Sequence, residues 1–317
     1  MSWLVTGGAG YIGAHVVRAM VDDGQDVVAL DDLSTGDATR LSPGARFVEG
    51  SVLDRGALVQ ALDGVTGVVH IAAKKQVGES VAEPLWYYRE NLDGLLTLLE
   101  ECRDRGIDRF VFSSSAATYG MPDVDLVTED TPKAPLSPYG ETKLVGEWLL
   151  NDCTTAFGMQ VMNMRYFNVA GAAAPELGDP GVFNLIPLVF QALQKGEKPR
   201  VFGNDYPTPD GTCIRDYVHV ADIADAHLAA ARALDAGQHG ATYNIGRGVG
   251  SSVLEVIDMI AEVTGLDCTY DVVDRRAGDP ARIVAKVDRI REGLGFQANY
   301  DLRQMVESAW AAWQLSH

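Results

Sequence analysis

Thr6-Gly7-Gly8-Ala9-Gly10-Tyr11-Ile12-Gly13 is the stretch on which the reading of the fold turns. Residues 3–6 before it are a short apolar run, and residues 12–22 after it carry apolar side chains at helical spacing. A strand passing into a helix through glycines at 7, 10 and 13 fits a G-x-x-G-x-x-G dinucleotide loop. The first glycine permits the tight turn, and the second lets backbone approach a pyrophosphate at the helix N-terminus. The third lets helix pack closely on strand. Gly-rich turns are common, and the placement between strand and helix makes this one specific.

Working outward, residues 26–30, 46–49, 68–72, 109–113 and 159–167 read as further strands, rich in Val, Ile and Phe with few charges. Such runs suit a parallel sheet buried on both faces. Residues 55–62, 86–105 and 138–157 carry spacings near 3.6 and read as helices. The alternation predicts an α/β fold, a Rossmann-type doubly wound parallel sheet that takes ligands outside the carboxyl ends of its strands. After about residue 170 the rhythm degrades. Residues 171–181 read as a loop, 203–211 as a Gly/Pro/Asp-rich segment, and 184–195, 221–236 and 253–264 as helices. The expected organisation is a dinucleotide-binding domain over 1–170 and a smaller α+β substrate domain over 171–317. That boundary is soft, because segments such as 242–245 could return to the first domain.

Composition narrows the class of function. The chain has 317 residues, 47% hydrophobic and 22% charged, which excludes wholesale disorder. Its net charge of −18 repels phosphate backbones and anionic lipid, so neither nucleic acid nor membrane is an expected partner. An anionic small molecule would bind only where local arginines or helix N-termini reverse the field. The glycine loop comes too early for a signal peptide, and no stretch of twenty apolar residues suggests a membrane span. Cys102, Cys153, Cys213 and Cys268 are scattered without metal-site or disulfide spacing, so no metal is expected and reduced thiols in a cytoplasm are.

Two further stretches carry chemistry. Asp31 ends the second strand, eighteen residues beyond Gly13. A carboxylate there accepts hydrogen bonds from a ribose diol and repels a 2′-phosphate, which favours NAD over NADP. Asp32 beside it reads more simply as a solvated loop acid. In Ser137-Pro138-Tyr139-Gly140-Glu141-Thr142-Lys143, Ser137 suits an N-cap and Pro138 the first helical residue. Tyr139 and Lys143 then share one helix face. A neighbouring ammonium, and the positive ring of an oxidised nicotinamide, favour the phenolate, so that Tyr139 can act as a base near neutral pH. Taken alone, such a pair is usually a half-buried aromatic beside a snorkelling lysine. Behind a dinucleotide loop the catalytic reading prevails. A hydroxyl from Ser113, Ser114 or Ser115, at the end of the fifth strand, is placed to donate to a substrate oxygen, and the residues alone do not choose among the three.

With these residues in view, the chain resembles the extended short-chain dehydrogenase/reductase superfamily and, within it, the UDP-glucose 4-epimerases. Beyond the glycine loop, the marks are Val77-Gly78-Glu79-Ser80, Phe112-Ser113-Ser114-Ser115, Ser137-Pro138-Tyr139-Gly140 with Lys143, and Arg165-Tyr166-Phe167-Asn168. Phe202-Gly203-Asn204-Asp205-Tyr206-Pro207-Thr208, Arg215-Asp216-Tyr217-Val218-His219-Val220 and Arg275-Arg276-Ala277-Gly278-Asp279-Pro280 are more particular to the epimerases. The resemblance implies Tyr139 as base, Lys143 as its electrostatic partner and a ribose contact, and Ser115 as hydroxyl donor. It implies an NAD site from Gly7, Gly10, Tyr11, Ile12, Gly13, Asp31, Asp32, Ser51, Val52, Ala72, Lys75, Asn91, Tyr139, Lys143 and Tyr166. Lys75, Ser115, Tyr139, Asn168, Asn184, Phe202, Arg215, Arg276 and Asp279 would hold a UDP-sugar, the two arginines answering its diphosphate.

The reaction so implied inverts carbon 4 of a UDP-hexose, foremost UDP-glucose to and from UDP-galactose, through a 4-keto sugar that turns about its diphosphate linkage while NAD stays bound. Two positions depart from the pattern. Ser51 stands where many relatives carry Asp at the adenine, leaving the Val52 backbone to serve there. Ile283 stands where relatives have a small residue or a tyrosine gating the sugar's 2-substituent, which leaves N-acetylated sugars open. A nucleotide-sugar 4,6-dehydratase would need acids where Ala116 and Ala117 follow Ser115. Epimerases of pentose, uronate or N-acetylhexosamine nucleotides are nearer rivals, and a non-catalytic NAD sensor would commonly lack the Tyr-Lys pair. In relatives the helices here read at 86–105 and 138–157 form a four-helix contact, so a homodimer is expected, with Leu92, Leu96, Leu99, Leu144 and Trp148 as outward-facing candidates.

Overall fold

The computed structural model describes residues 1–276 and 278–316; Ala277, inside the Arg275-to-Pro280 motif, lies outside the described residues. The first lobe runs β1 (Ser2–Thr6), α1 (Tyr11–Asp22), β2 (Asp26–Asp31), β3 (Ala45–Glu49), α2 (Arg55–Ala61), β4 (Gly67–His70), α3 (Val77–Ala82), α4 (Pro84–Tyr88), α5 (Gly94–Arg105), β5 (Arg109–Ser115), α6 (Pro138–Phe157) and β6 (Gln160–Tyr166). There follow β7 (Asn168–Ala170), α7 (Leu185–Gln194), β8 (Arg200–Phe202), β9 (Ile214–His219), α8 (Val220–Asp235), β10 (Ala241–Ile245), β11 (Gly250–Ser252), α9 (Val253–Thr264), β12 (Asp271–Val273), β13 (Arg282–Ile283), α10 (Asp288–Leu294) and α11 (Leu302–Ser316).

Among the described residues, seven parallel strands form one sheet in the order β10-β6-β5-β4-β1-β2-β3. The order reverses direction between β1 and β4, which opens a crevice at their carboxyl ends. Alternating side chains along each strand separate two cores. Trp3 and Val5 of β1 pack with Val16, Met20 and Ile223 under α1 and α8, whereas Leu4 packs with Leu58, Leu98 and Leu150 under α2, α5 and α6. A third cluster, built on Phe190, Ile257, Ile260 and Met305, joins α7, α9 and α11 into the second lobe. There β9 lies between β11 and β13 and also pairs with β7, while β8 pairs with β12.

Several boundaries differ from the sequence reading for identifiable reasons. The fourth strand stops at His70, because the amides of Ile71 and Ala72 both turn back onto the Thr6 carbonyl, at 3.2 and 3.1 Å. The fifth strand continues past residue 113 to Ser115, which pairs with Tyr166 of β6. The helix expected over 86–105 is interrupted by a π turn, Arg89–Asp93. Residues 242–245 return as β10, the edge strand beside β6. Of the leucines expected to face outward, Leu99 and Leu144 are buried in the chain's own interior, Leu92 is half-buried, and Leu96 with Trp148 is exposed. The apolar stripe of α5 is wide enough to carry Leu95, Leu98 and Leu99 onto the sheet together. No helix among the described residues is long and apolar enough to cross a membrane.

Candidate active site

β1 ends at Thr6, and Gly7 turns the chain at φ +68°. A Cβ on Gly7 would sit 2.9 Å from the Ala72 amide nitrogen, so the left-handed turn and the close approach of the loop after β4 both require glycine. A Cβ on Gly13 would overlap the Gly7 carbonyl, which lets α1 begin directly against the loop. Gly10 is the N-cap and brings no side chain, and the helix ladder begins with Ala14 N–H to Gly10 O at 3.0 Å. The amides of Tyr11, Ile12 and Gly13 therefore point out of the helix end, with no acidic residue in the first turn to answer them. That is a cradle for a pyrophosphate.

Asp31 closes the same edge. Its carboxylate accepts from Ala9 N and Leu33 N, each at 2.9 Å, and lone pairs remain for a ribose diol. Burial raises its pKa. Asp32 is exposed and accepts from Ser34 N at 2.9 Å, as a solvated loop acid does. Ser51 folds onto its own turn, accepting from Leu53 N at 3.1 Å, and Val52 is buried. Lys75 is exposed, its Nζ 5.9 Å from the Tyr11 ring, and the Tyr11 hydroxyl donates to Gly171 O at 2.5 Å. Asn91, in the π turn, spends its amide on the Lys74 backbone (2.8 and 3.0 Å) and on Thr142 Oγ1 (3.0 Å). These bonds brace the loop after β4. The residues present fit a dinucleotide: an uncovered helix N-terminus, a glycine turn and a ribose-facing carboxylate lie along one edge.

The next pieces meet at the end of β5. Ser137 Oγ accepts from Gly140 N at 3.2 Å and Pro138 begins α6, which sets Tyr139 at the crevice. The structure separates the three serines. Ser113 Oγ takes the Tyr166 hydroxyl, Ser114 Oγ donates to Glu147 at 2.5 Å, and Ser115, whose Oγ accepts from Ala117 N at 3.1 Å, stands beside Tyr139. Tyr166 thereby turns its hydroxyl into the interior, also 2.7 Å from His227 Nε2. Burial raises the Tyr139 pKa, and the neighbouring Ser115 hydroxyl lowers it. Lys143 follows one turn along α6. Its Nζ donates to Ser113 O at 2.7 Å and lies 5.1 Å from the Phe112 ring, and burial lowers its pKa from 10.5 to about 7. Burial thus opposes charge on both members of the pair, while the Ser115 hydroxyl favours the phenolate.

The second lobe contributes two pairs. Arg215 on β9 pairs with Asp279, and the Arg276 guanidinium lies 3.8 Å from the centre of the Phe202 ring at the end of β8. Asn168 begins β7, and Asn184 caps α7 while donating to Asp179 at 3.1 Å; both line one cavity with Tyr11 and Tyr217. No metal-binding cluster is found among the described residues.

This geometry agrees with the comparisons. Residues 3–246 match the NAD dependent epimerase/dehydratase family. A UDP-glucose 4-epimerase of Corynebacterium glutamicum is 44% identical over 315 residues, covering 98% of this chain and 95% of its own. The chain belongs to the UDP-glucose 4-epimerase family. A structure of the Brucella ovis family member in complex with NAD superposes with a TM-score of 0.94 at 39% identity, over 97% of both chains. One from Bifidobacterium longum, in complex with NAD+ and UDP, gives 0.92 at 34% identity, covering 99% of this chain and 98% of that one.

One cluster in this epimerase-family chain escaped the sequence reading. Glu147 and Arg165 form a buried pair directly beneath the serines, joined to Tyr119 at 2.7 Å. Its signal was present: Glu147 continues the Tyr139–Lys143 spacing by another four residues, and Arg165 is a lone charge in an apolar strand.

Proposed function

We propose that this protein interconverts UDP-glucose and UDP-galactose by NAD-dependent inversion at carbon 4. The observation that carries the reading is the Tyr139–Lys143 pair on α6, its lysine held at the end of β5, in a chain that also presents the Gly7 turn and, in its second lobe, Arg215 and Arg276. The Corynebacterium glutamicum relative supports the choice of sugar nucleotide. When bound, NAD supplies a two-electron acceptor and a positive charge at this edge.

Tyr139 takes the proton of the sugar's 4-hydroxyl while Ser115 donates to the same oxygen, so charge on it is met by a preplaced donor. Lys143, held by the Ser113 carbonyl, lends positive charge from one helical turn away. Arg215 and Arg276 hold the diphosphate, with Phe202, Asp279, Asn168 and Asn184 around the nucleotide. Binding energy spent on the nucleotide leaves the keto sugar free to turn while it stays captive. Once the ring has turned, Tyr139 returns its proton to the C4 oxygen, and the hydrogen and two electrons taken from carbon 4 come back to its opposite face. Gly7 to Gly13 cradle the dinucleotide, and Asp31 selects NAD over NADP.

Ile283, half-buried on β13, packs toward Tyr119 and Phe167 and bounds the space for the sugar's 2-substituent. We further place the active form as a homodimer through α4, α5 and α6, where Leu85, Trp86, Leu96 and Trp148 are exposed. We place it in the cytoplasm, where four buried free thiols remain reduced. The test is to incubate purified protein with a panel of UDP-sugars, without added NAD, and separate the epimers. Conversion of UDP-glucose supports the reading; conversion only of pentose, uronate or N-acetylhexosamine nucleotides replaces the substrate. No conversion at all refutes it.

A further inference from the structure

Tyr139, Lys143 and Glu147 follow one another at four-residue intervals along one stripe of α6. The first two face the crevice, and the third faces the sheet beneath it. Glu147 is 4% exposed and Arg165, on β6, is 3% exposed. They meet as a fork, Arg165 Nε to Oε1 at 2.8 Å and Nη2 to Oε2 at 2.5 Å. Ser114 Oγ adds a bond to Oε1 at 2.5 Å.

That third bond matters because of its neighbours. Ser113 presents the carbonyl that receives Lys143, and Ser115 presents the hydroxyl that meets Tyr139. Glu147 therefore grips the middle of the three-residue run whose two ends hold the catalytic pair. It does so from the same helix that carries that pair.

The connection continues into the second lobe. Arg165 Nη1 donates to Tyr119 Oη at 2.7 Å and to Glu129 O at 3.1 Å, and Tyr119 donates to Asn244 Oδ1 at 2.6 Å. Asn244 Nδ2 donates to Val127 O at 2.8 Å, and the Val127 amide donates to Val284 O at 2.8 Å. Ile283, next to Val284, pairs on β13 with Arg215 of β9. A path buried as far as Val284 thus links α6, through half-buried Ile283, to the strand that carries the diphosphate arginine.

We propose that Glu147 is a positioning residue of this reaction, fixing the Tyr139–Lys143 helix against the serine run and against the lobe that holds the sugar nucleotide. The proposal rests on the epimerase reading above. Its physical basis is that a bidentate carboxylate–guanidinium fork fixes distance and angle together, which a single hydrogen bond does not. Catalytic groups displaced by about 1 Å lose on the order of 10²-fold in rate.

The experiment uses full-length protein with its bound dinucleotide and compares wild type with Glu147→Gln and Tyr119→Phe. Glu147→Gln keeps the shape but opposes an amide N–H to Arg165, breaking the fork. Tyr119→Phe removes one of the two links between Arg165 and Asn244, the other running through Glu129, and leaves the pair intact. The measurements are kcat per bound NAD, KM for UDP-glucose, affinity for UDP, and the pH profile of kcat. For Glu147→Gln we expect kcat to fall on the order of 10²-fold, with UDP affinity and NAD content unchanged. The low-pH limb should move to higher pH, because a displaced Ser115 hydroxyl lets the phenol pKa rise. Tyr119→Phe should show the same signature at smaller amplitude. A merely structural role would leave the limb in place and lower only the folded fraction, and that result overturns the proposal. If Glu147→Gln does not fold, an unmoved limb and unchanged kcat in Tyr119→Phe overturn it. A wild type inactive on every UDP-sugar sinks the epimerase reading and this proposal with it; an active wild type beside an unaffected variant sinks this proposal alone.

Discussion

Replacing Lys143 with methionine tests the account of the catalytic pair through a quantity independent of turnover. Burial holds this ammonium near 7 in the folded chain, against an ordinary 10.5. Because the folded value is depressed, its stability contribution is complete above the unfolded pKa and is lost as pH falls through the folded one. Each unit of pH between the two costs about 1.4 kcal/mol, so the dinucleotide-free protein should lose about 4 kcal/mol from this group between pH 10.5 and pH 7. Methionine has similar length and no charge to desolvate. It forfeits the bond to the Ser113 carbonyl, a loss of about 1 kcal/mol. Lys143→Met should therefore be more stable than wild type by about 3 kcal/mol at pH 7, with the advantage vanishing toward pH 10. Urea unfolding of both proteins, stripped of dinucleotide and followed by tryptophan fluorescence at several pH values, measures this directly. A variant less stable than wild type at pH 7, or an offset that does not change with pH, would refute the argument that burial discharges the lysine.

Other expectations follow from the same geometry. Tyr139→Phe should lose 10² to 10⁴-fold in epimerase rate, on the order expected for removing a general base, while retaining its melting temperature and bound NAD. Asp31→Asn should narrow the preference for NAD over NADP in a competitive dissociation measurement, since the charge that repels a 2′-phosphate is gone. Arg215→Ala should raise KM for UDP-glucose by about 10- to 100-fold, the loss of one charge-assisted contact, with a smaller change in kcat. Trp148→Glu should shift the mass seen by light scattering from dimer to monomer at micromolar concentration.

The parts of the site legible in the sequence are those whose function depends on neighbours along the chain. The glycine loop needs only a strand before it and a helix after it. Asp31 needs only the end of the second strand, and Tyr139 with Lys143 needs only a helix and its four-residue spacing. The serines at 113–115 were not separable in this way, since their assignment depends on which face of β5 each takes and what waits there. Ser114 meets Glu147 across α6, and Ser113 meets Tyr166 and His227 across β6 and α8. The interior partners of Asn91 and Tyr166, Lys74 and Thr142 for the first and Ser113 and His227 for the second, were equally beyond reach of local spacing.

By itself the sequence determined the doubly wound architecture, the dinucleotide crevice at its carboxyl edge and the identity of the Tyr–Lys pair, because periodicity, turns and helix faces are set by residues a few positions apart. Only the tertiary structure decided that burial lowers the pKa of Lys143, which of the serine hydroxyls lies beside the phenol, and that residues 241–245 close the sheet beside β6. Each of these depends on solvent exclusion or on partners distant in the chain. A proton's affinity and a hydroxyl's partner are properties of the surroundings that folding assembles.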